Sequence, residues 1–343
     1  MHFQIFDIQN PWSSAYCPSI VQISENRFMA TWYAGNAEAT KEVCIACSYF
    51  TFESGWTAAH MMMKTPDYAD VNGVLFIDHS GKVWFFWNTI REEHRSLVRF
   101  PQACTDNKYI TSSNIGHTWS DPTPLISEQI GWNFKNKPIY LNNGLLLLPM
   151  HDEVQARSLV AISENNGLSW SPSQFIETDQ DQPVTEQFST PGPDEEAPII
   201  PNYQNSQPTL FQRKDGAVVA LLRTKNLGFI HRAVSTDFGF TWSETEPTSL
   251  PNPDTGIDCV KLENGDIVLA FNNSTTGCSP LTLAVSHNDG ETWEGFKNLE
   301  DESQAEFSCP AIIQDLQGRI HVTYTYKRKH IRHAILDEKW LSA

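Results

Sequence analysis

Residues 235–242 read STDFGFTW, a polar segment with Asp237, Gly239 and Trp242 at fixed spacing. The pattern Ser-x-Asx-x-Gly-x-Thr/Ser-Trp recurs as SSNIGHTW at 112–119, SENNGLSW at 163–170 and SHNDGETW at 286–293, with a degenerate copy at 48–56. In such a turn the Asx side chain can bond nearby backbone, glycine takes the strained position and the tryptophan packs on strands. The repetition indicates one structural unit used several times along the chain.

A second pattern, a strand followed by a tight turn and another strand, occurs six times. Its copies span residues 18–32, 73–87, 138–150, 208–222, 257–271 and 310–324. Five of the six turns contain glycine and the first contains Asn26, and both residue types tolerate the positive φ that hairpin turns require. The arms are rich in Val, Ile, Leu and aromatic residues, as expected of buried strands. We therefore predict six hairpin units, most of them followed by the polar turn.

The polar turn resembles the Asp box of sialidase-like β-propellers, and the chain is most similar to the BNR-repeat proteins commonly labelled as a sialidase family. The stretches that carry this resemblance are 207–210 (QPTL), 222–224 (LRT), 250–258 (LPNPDTGID), 306–314 (EFSCPAIIQ) and 323–333 (TYTYKRKHIRH). The resemblance implies an all-β fold, a six-bladed β-propeller in which each blade is a four-stranded antiparallel sheet.

This resemblance also implies how the chain is organised. Residues 1–343 would form a single propeller domain, and residues 2–8 (HFQIFDI) would add the fourth strand of the last blade and close the ring. A third strand of that blade is expected near 331–336. The Pro-rich, acidic stretch 171–205 is predicted to be a long loop insertion over one face.

The composition excludes several classes of partner. Asp plus Glu number 41 against 24 Lys plus Arg, a formal net charge of −17. Because such an acidic surface repels phosphate backbones and anionic membranes, we expect neither nucleic acid nor membrane as a partner. A small molecule or a glycan remains as the expected substrate, and the sequence leaves the oligomeric state open.

The seven cysteines show no pairing rhythm, and residues 1–12 lack the features of a signal peptide, so a reducing, cytoplasmic location is expected. A processed secreted form, which would also lack a signal peptide, is the alternative. Cys44 and Cys47 form a CxxC within a strand-like run, and His330 and His333 are likewise three residues apart. Side chains at that spacing on a strand point to opposite faces, so we predict no metal site at either pair. The sequence contains no cofactor-binding fingerprint, and no cofactor is expected.

Propeller topology indicates where a ligand would bind. The first strand of each blade starts at one end of the central channel, the second strand returns to that end, and the Asp boxes lie at the opposite face. We call the first end the mouth. Polar residues just before the first strands are Tyr16, Asn72, Lys137, Gln207, Asp258 and Glu306; those just after the second strands are Glu38, Arg91, His151, Asp152, Arg223, Asn272, Tyr326 and Arg328.

Sialidases bind a substrate carboxylate with three arginines, and use a Tyr nucleophile with a Glu partner and an Asp acid/base. Here Tyr16-Cys17-Pro18 stands where the first arginine is expected, and Gln207 replaces the glutamate of the fourth blade. The third arginine is missing near 278–280, and 307–309 contain no tyrosine. Ordinary sialidase chemistry is therefore not expected from the family positions.

The remaining carboxylates favour a glycoside hydrolase of another kind. Asp258 and Glu306 belong to neighbouring blades, and a carboxylate pair is what glycoside hydrolysis requires. Glu38 is a third candidate. Side chains expected to hold the substrate are Arg223, Lys137, Gln207, Asn72, Asn272, Arg328 and Tyr16. The non-catalytic alternative is that Asp258 caps the turn at 252–256 and Glu306 pairs with a surface lysine.

Two other functions remain open. His151 as general base and Tyr326 as proton donor, with Arg223 neutralising a uronate, would suit a lyase, or a cyclase or isomerase acting on a small metabolite. The missing sialidase residues also suit a non-catalytic propeller that binds glycans through aromatic stacking.

Overall fold

The structure is a computed structural model that describes residues 3–36, 40–91, 104–126, 129–178 and 204–342. In these ranges the chain forms six antiparallel sheets that are arranged as the blades of a propeller. Neighbouring blades contact each other through their innermost strands. The predicted all-β, six-bladed fold is confirmed.

Blades 1 to 3 follow one another along the chain. Blade 1 contains β2 (Ser14–Ser24), β3 (Arg27–Gly35), β4 (Cys44–Thr51), β5 (Gly55–Trp56) and β6 (His60–Met63); blade 2 contains β7 (Ala69–Ile77), β8 (Val83–Ile90), β9 (Thr105–Ser112) and β10 (Thr123–Pro124); blade 3 contains β11 (Trp132–Asn133), β12 (Ile139–Tyr140), β13 (Leu146–Asp152), β14 (Arg157–Ser163) and β15 (Ser171–Pro172). In blade 1 two short strands, β5 and β6, both pair with β4. In blade 3 two short strands, β11 and β12, both pair with β13.

Blades 4 to 6 complete the ring. Blade 4 contains β16 (Gln204–Gln212), β17 (Val218–Lys225), β18 (Phe229–Ser235) and β19 (Glu246–Pro251); blade 5 contains β20 (Asp258–Lys261), β21 (Ile267–Asn272), β22 (Leu281–Ser286) and β23 (Glu294–Glu300); blade 6 contains β24 (Phe307–Gln314), β25 (Ile320–Tyr326), β26 (His330–Leu336) and β1 (Phe3–Ile8). Strand β1 pairs with β26 from Phe3 opposite Leu336 to Ile8 opposite Ile331, so the two ends of the chain share a blade as predicted. A short helix, α1 (Glu338–Ser342), follows. Among the described residues no helix has the length and apolar content needed to cross a membrane.

The segment predicted as a long loop at 171–205 contains strand at both ends. Strand β15 pairs with β14 as the outer strand of blade 3, and Ile176 and Thr178 form further bridges with Ser158 and Thr245. At the other end Gln204 begins β16. The prediction was wrong for these ends, because a proline-rich composition does not exclude short edge strands. Residues 179–203 lie outside the described residues.

The Asp boxes of blades 2 to 5 connect the third and fourth strands and pack against the preceding blade. In blade 4 the Asp237 carboxylate accepts hydrogen bonds from Ser235 Oγ at 2.8 Å and from the amide of Thr241 at 2.9 Å. The amide of Gly239 donates to Ser235 Oγ at 2.8 Å. Gly239 has φ of +94°, and a Cβ there would lie 2.8 Å from Leu147 in blade 3. Glycine is therefore required both by the backbone and by the blade contact.

The two histidines of the KHIRH segment lie on opposite faces of β26, as predicted. His330 bonds Asp7, whereas His333 is buried and its Nε2 lies 2.9 Å from His321 Nδ1. His321 in turn bonds Asp315 at 3.0 Å. Burial, with a smaller contribution from His321, holds the pKa of His333 well below its usual value. Within the described residues no cluster of three or more His, Cys, Asp or Glu side chains is suited to a metal ion.

Replacing Gly239 with alanine should destabilise the protein through a clash with the preceding blade. Gly216 has the same φ of +94° but open space around its missing Cβ, so Gly216→Ala is a matched control for backbone strain alone. We expect Gly239→Ala to reduce the free energy of unfolding by about 1–3 kcal/mol more than Gly216→Ala. Urea titration of both variants measures the difference, and equal losses would contradict the contact with Leu147.

The buried His333 should make stability fall in mild acid. An unfolded histidine takes up a proton near pH 6.5, whereas folded His333 resists protonation, so the stabilisation is present above that pH and is lost as the pH falls below it. Between pH 7.5 and 5.0 this group should lower the free energy of unfolding by about 2 kcal/mol. Urea titrations at both pH values should show this loss reduced in His333→Gln but unchanged in His330→Gln. An equal loss in all three proteins would contradict the assignment.

Candidate active site

Four inner strands depart from regular β geometry at the mouth. Cys17, Asn72, Gln207 and Cys309 occupy equivalent places in blades 1, 2, 4 and 6, and each has a left-handed φ between 45° and 53°. At each place the pairing of the first strand with the second shifts register. Left-handed backbone is uncommon for residues other than glycine and costs on the order of 1 kcal/mol or more. Four equivalent instances at one end of the channel make the mouth the candidate site.

Side chains at three of these positions make close contacts, either with another blade or within their own. Cys17 Sγ lies 2.8 Å from Cys309 Sγ, and Gln207 Oε1 accepts a hydrogen bond from Arg223 Nη1 at 3.0 Å. Gly256, just before β20, completes the convergence, because a Cβ there would lie 3.2 Å from Gln207 Oε1, 3.3 Å from Lys135 Cε and 3.6 Å from Cys309 Cα. Blades 3, 4, 5 and 6 therefore meet within a few ångströms.

Arg223 is positioned by the turn that precedes blade 5. Its Nε and Nη2 both lie 2.9 Å from Asp254 Oδ1, and its side chain keeps 25% of its surface exposed. The turn itself is capped by Asn252, whose Nδ2 donates to the carbonyl of Thr255 at 3.0 Å. Two of the five guanidinium N–H donors are not used by Asp254 or Gln207. The group can therefore still bind an anion that enters the mouth.

Glu306 forms a second cluster with residues of blades 1 and 6. Its Oε1 accepts from the Tyr16 hydroxyl at 3.4 Å and from Ser308 Oγ at 3.2 Å, and its Oε2 is bonded by Arg328 Nε. The Arg328 guanidinium also lies over the Tyr16 ring, 4.5 Å from its centre. The Tyr16 ring also stacks on Tyr33, with 5.5 Å between the ring centres. The Glu306 side chain is 26% exposed, so the cluster is open to a ligand.

The charges of Arg223 and Glu306 both act on one thiol. Burial, together with the negative charge of Glu306, raises the pKa of Cys278 to about 11, and the positive charge of Arg223 opposes that rise. A cation and a carboxylate therefore both influence this thiol.

Asp258 occupies a different environment from Glu306. It is buried, and its oxygens accept from Lys137 Nζ at 3.0 and 2.8 Å, from Thr209 Oγ1 at 2.8 Å and from the amides of Cys259 and Ile312 at 2.9 Å. These bonds join blades 3, 4, 5 and 6 and leave little capacity to accept a substrate proton. Asp258 therefore connects the inner strands of four blades. It does not cap the turn at 252–256, and it is not an exposed catalytic group.

Two other predicted site residues, Lys137 and Asn272, form hydrogen bonds with other blades. Lys137 donates to Asp258 and to the carbonyl of Cys259 at 2.8 Å. Asn272 is buried, and its Nδ2 donates to the carbonyl of Phe307 at 2.8 Å. Asn72 lies at the strained position of blade 2. Glu38 lies outside the described residues.

The two residues proposed for a lyase belong to different blades and have different partners. His151 is buried on β13 of blade 3, with Nε2 at 3.0 Å from Glu153. Tyr326 lies at the end of β25 in blade 6, with Arg332 at 3.6 Å and Phe307 at 5.3 Å from its ring centre.

Sequence reasoning missed Lys135, Asp254 and the cysteine pair. The sequence did contain a pattern that could have located the cysteine pair. In three blades a proline in the first strand is directly preceded by one of these residues: Cys17, Gln207 or Cys309. A residue before proline is restricted in its backbone, and its repetition at equivalent places indicated a shared geometry. No local sequence pattern marks Lys135 or Asp254, because the residues that they contact are distant in the sequence.

Comparison with known proteins places this geometry in a family. The BNR repeat-like domain profile matches residues 26–322. Comparison with the curated proteins found no match. Three solved structures share the fold over nearly the whole chain: a protein of unknown function from Dyadobacter fermentans (TM-score 0.78, 15% identity, 98% of each chain), a sialidase from Streptococcus pneumoniae (0.73, 14%, 99% of this chain and 71% of that one) and an alpha-L-arabinanase from Penicillium chrysogenum (0.65, 10%, 99% and 98%).

Identities of 10–15% show a common fold and leave the reaction to be argued from the site. The family profile, by contrast, covers all six first-to-second strand hairpins, at least in part. The chain therefore belongs to the BNR repeat-like domain family and has the sialidase-like propeller fold.

Proposed function

We propose that the protein is a glycoside hydrolase that acts on a carboxylate-bearing sugar, with Tyr16 as nucleophile and Glu306 as its proton acceptor. The observation that carries the proposal is the contact of the Tyr16 hydroxyl with Glu306 Oε1 at 3.4 Å, beside two arginines at the mouth. Sialidases use a Tyr and Glu pair for the same purpose. Here the pair comes from the first strand positions of blades 1 and 6.

The proposed reaction has two displacement steps. In the first, the Tyr16 oxygen bonds to the anomeric carbon and passes its proton to Glu306, while the glycosidic bond breaks and the leaving oxygen takes a proton from solvent. In the second, water attacks the anomeric carbon and loses a proton to solvent. The Tyr16 oxygen then leaves and recovers its proton from Glu306. The net reaction consumes one water and keeps the anomeric configuration.

The arginines support an anionic substrate. Arg223 has unused donors and an exposed edge, and Arg328 orients Glu306 while covering one face of Tyr16. A guanidinium can bind a carboxylate through two parallel hydrogen bonds, which fixes the orientation of the sugar ring as well as its position. Asp258 contributes by holding the blades in place.

Substitutions should separate the Tyr16–Glu306 pair from the buried Asp258. We expect Tyr16→Phe and Glu306→Gln to reduce kcat at least about 100-fold with little change in Tm, because the replacements keep the shapes of the two side chains. Asp258→Asn should instead lower Tm clearly, since it breaks a buried ion pair with Lys137. Turnover is followed by proton NMR with sialyllactose and by fluorescence with aryl glycosides of sialic acid and glucuronic acid.

Tyr326→Phe is the matched control, because it removes a tyrosine hydroxyl from the same end of blade 6 outside the cluster. It should keep full activity. Activity lost in Tyr326→Phe and retained in Tyr16→Phe would contradict the proposed nucleophile and favour the lyase. Saturable binding of these sugars without turnover by the unaltered protein would favour a glycan-binding propeller.

Arg223→Lys should weaken binding of charged substrates selectively. Lysine keeps the positive charge but cannot form the bidentate pair, so KM for a carboxylate-bearing glycoside should rise about tenfold or more, while kcat changes less. A neutral aryl arabinoside serves as control. An equal effect on charged and neutral substrates would contradict a carboxylate contact at Arg223.

A further inference from the structure

Two thiols face each other where the ring closes. Cys17 in blade 1 and Cys309 in blade 6 are 292 positions apart in the sequence, and their sulfur atoms lie 2.8 Å from each other. A disulfide bond has a length of about 2.05 Å, so the remaining gap is under one ångström. All seven cysteines lie in described parts of the chain, and none is in a disulfide.

The backbone presents both sulfur atoms in the same way. Cys17 has φ of 45° and Cys309 has φ of 51°, and each interrupts the pairing of the innermost strand of its blade. Pro18 and Pro310 follow them, and a proline restricts both its own φ and the residue before it. The approach of the two thiols is therefore set by the main chain of two adjacent blades.

We propose that Cys17 and Cys309 are a redox modification site, a thiol pair that a peroxide converts to a disulfide at the base of the mouth. The Cys309 thiolate attacks one oxygen of hydrogen peroxide, the O–O bond breaks, and the departing hydroxide takes a proton to become water. The Cys17 thiolate then attacks the sulfur of the Cys309 sulfenic acid, and the S–O bond breaks with release of a second water. Two thiols are oxidised and one peroxide is reduced.

The surroundings favour this pair over the other cysteines. Burial raises the pKa of Cys47 and Cys259 to about 12 and that of Cys278 to about 11, which keeps them as unreactive thiols near neutral pH. Burial lowers the pKa of the Lys135 amine, and negative charge on Asp258, Cys309 and Cys17 opposes that shift, so a protonated Lys135 would in turn stabilise a thiolate of this pair. Cys309 is also partly exposed at the mouth, which gives a small oxidant access.

Closing the bond would affect the ring and the mouth together. It would link blade 6 to blade 1 and so enclose residues 17–309 in one covalent loop, which restricts the unfolded state. Cys17 adjoins Tyr16, and Ser308 adjoins Cys309 and bonds Glu306. The oxidation state is thus coupled to the geometry of the Tyr16–Glu306 contact.

Peptide mapping tests the proposal without using catalysis, so its failure is distinct from failure of the hydrolase proposal. Trypsin places Cys17 on 1–27, Cys278 on 262–297 and Cys309 on 298–319, each as the peptide's single cysteine. After hydrogen peroxide treatment of the full chain and alkylation of residual thiols, we expect a linked 1–27/298–319 species with a mass about 2 Da below the sum of its parts. Dithiothreitol should reverse it, and Tm of the oxidised protein should be several degrees higher.

Cys278→Ser is the matched control, since it removes the neighbouring thiol of the mouth and should leave the linked species intact. Cys17→Ser and Cys309→Ser should each abolish the linked species and the rise in Tm. Linkage of 262–297 to either peptide, or conversion of Cys17 and Cys309 to sulfinic or sulfonic acids without linkage, would overturn the proposal. If the serine variants fail to fold, the peptide map of the unaltered chain decides alone.

Discussion

Buried cations at the inner ends of the blades are the interaction on which the rest of the structure depends. Lys135 Nζ donates to Asn136 Oδ1 at 3.0 Å, to the carbonyl of Ile257 at 3.3 Å and to the carbonyl of Pro310. Lys137 and Asp258 form a second contact of this kind beside it. Together these hydrogen bonds join blades 3, 4, 5 and 6 and fix where their inner strands begin. The burial of an ammonium is tolerated because its donors are matched by fixed acceptors.

The fold could be predicted from the sequence because its chemistry is local. Each hairpin and each Asp box is encoded within about fifteen neighbouring residues, so the number of copies indicates the number of blades. The site depended on contacts between residues far apart in the chain. Asp258 and Glu306 looked alike as carboxylates before first strands, yet one is saturated by Lys137 and backbone amides and the other is open beside Tyr16. No local pattern distinguishes these two environments.

The mouth also shows that one backbone geometry can carry different residue types. Gln207 contacts Arg223 from the strained backbone position of blade 4. Cys17 and Cys309 use the same backbone position in blades 1 and 6. The scaffold therefore specifies a direction for each of these side chains, and the residue type at each place determines the chemistry.

Pairing of β1 with β26 gives the molecule an unusual order of assembly. Residues 3–8 come before the other described strands, but the strand they pair with, His330–Leu336, comes after all of them. Five blades can form from segments that are close in sequence, whereas the sixth needs two segments from far apart in the chain. During synthesis β1 therefore has no partner until β26 has been made, and the ring closes after the strands of the other five blades are complete.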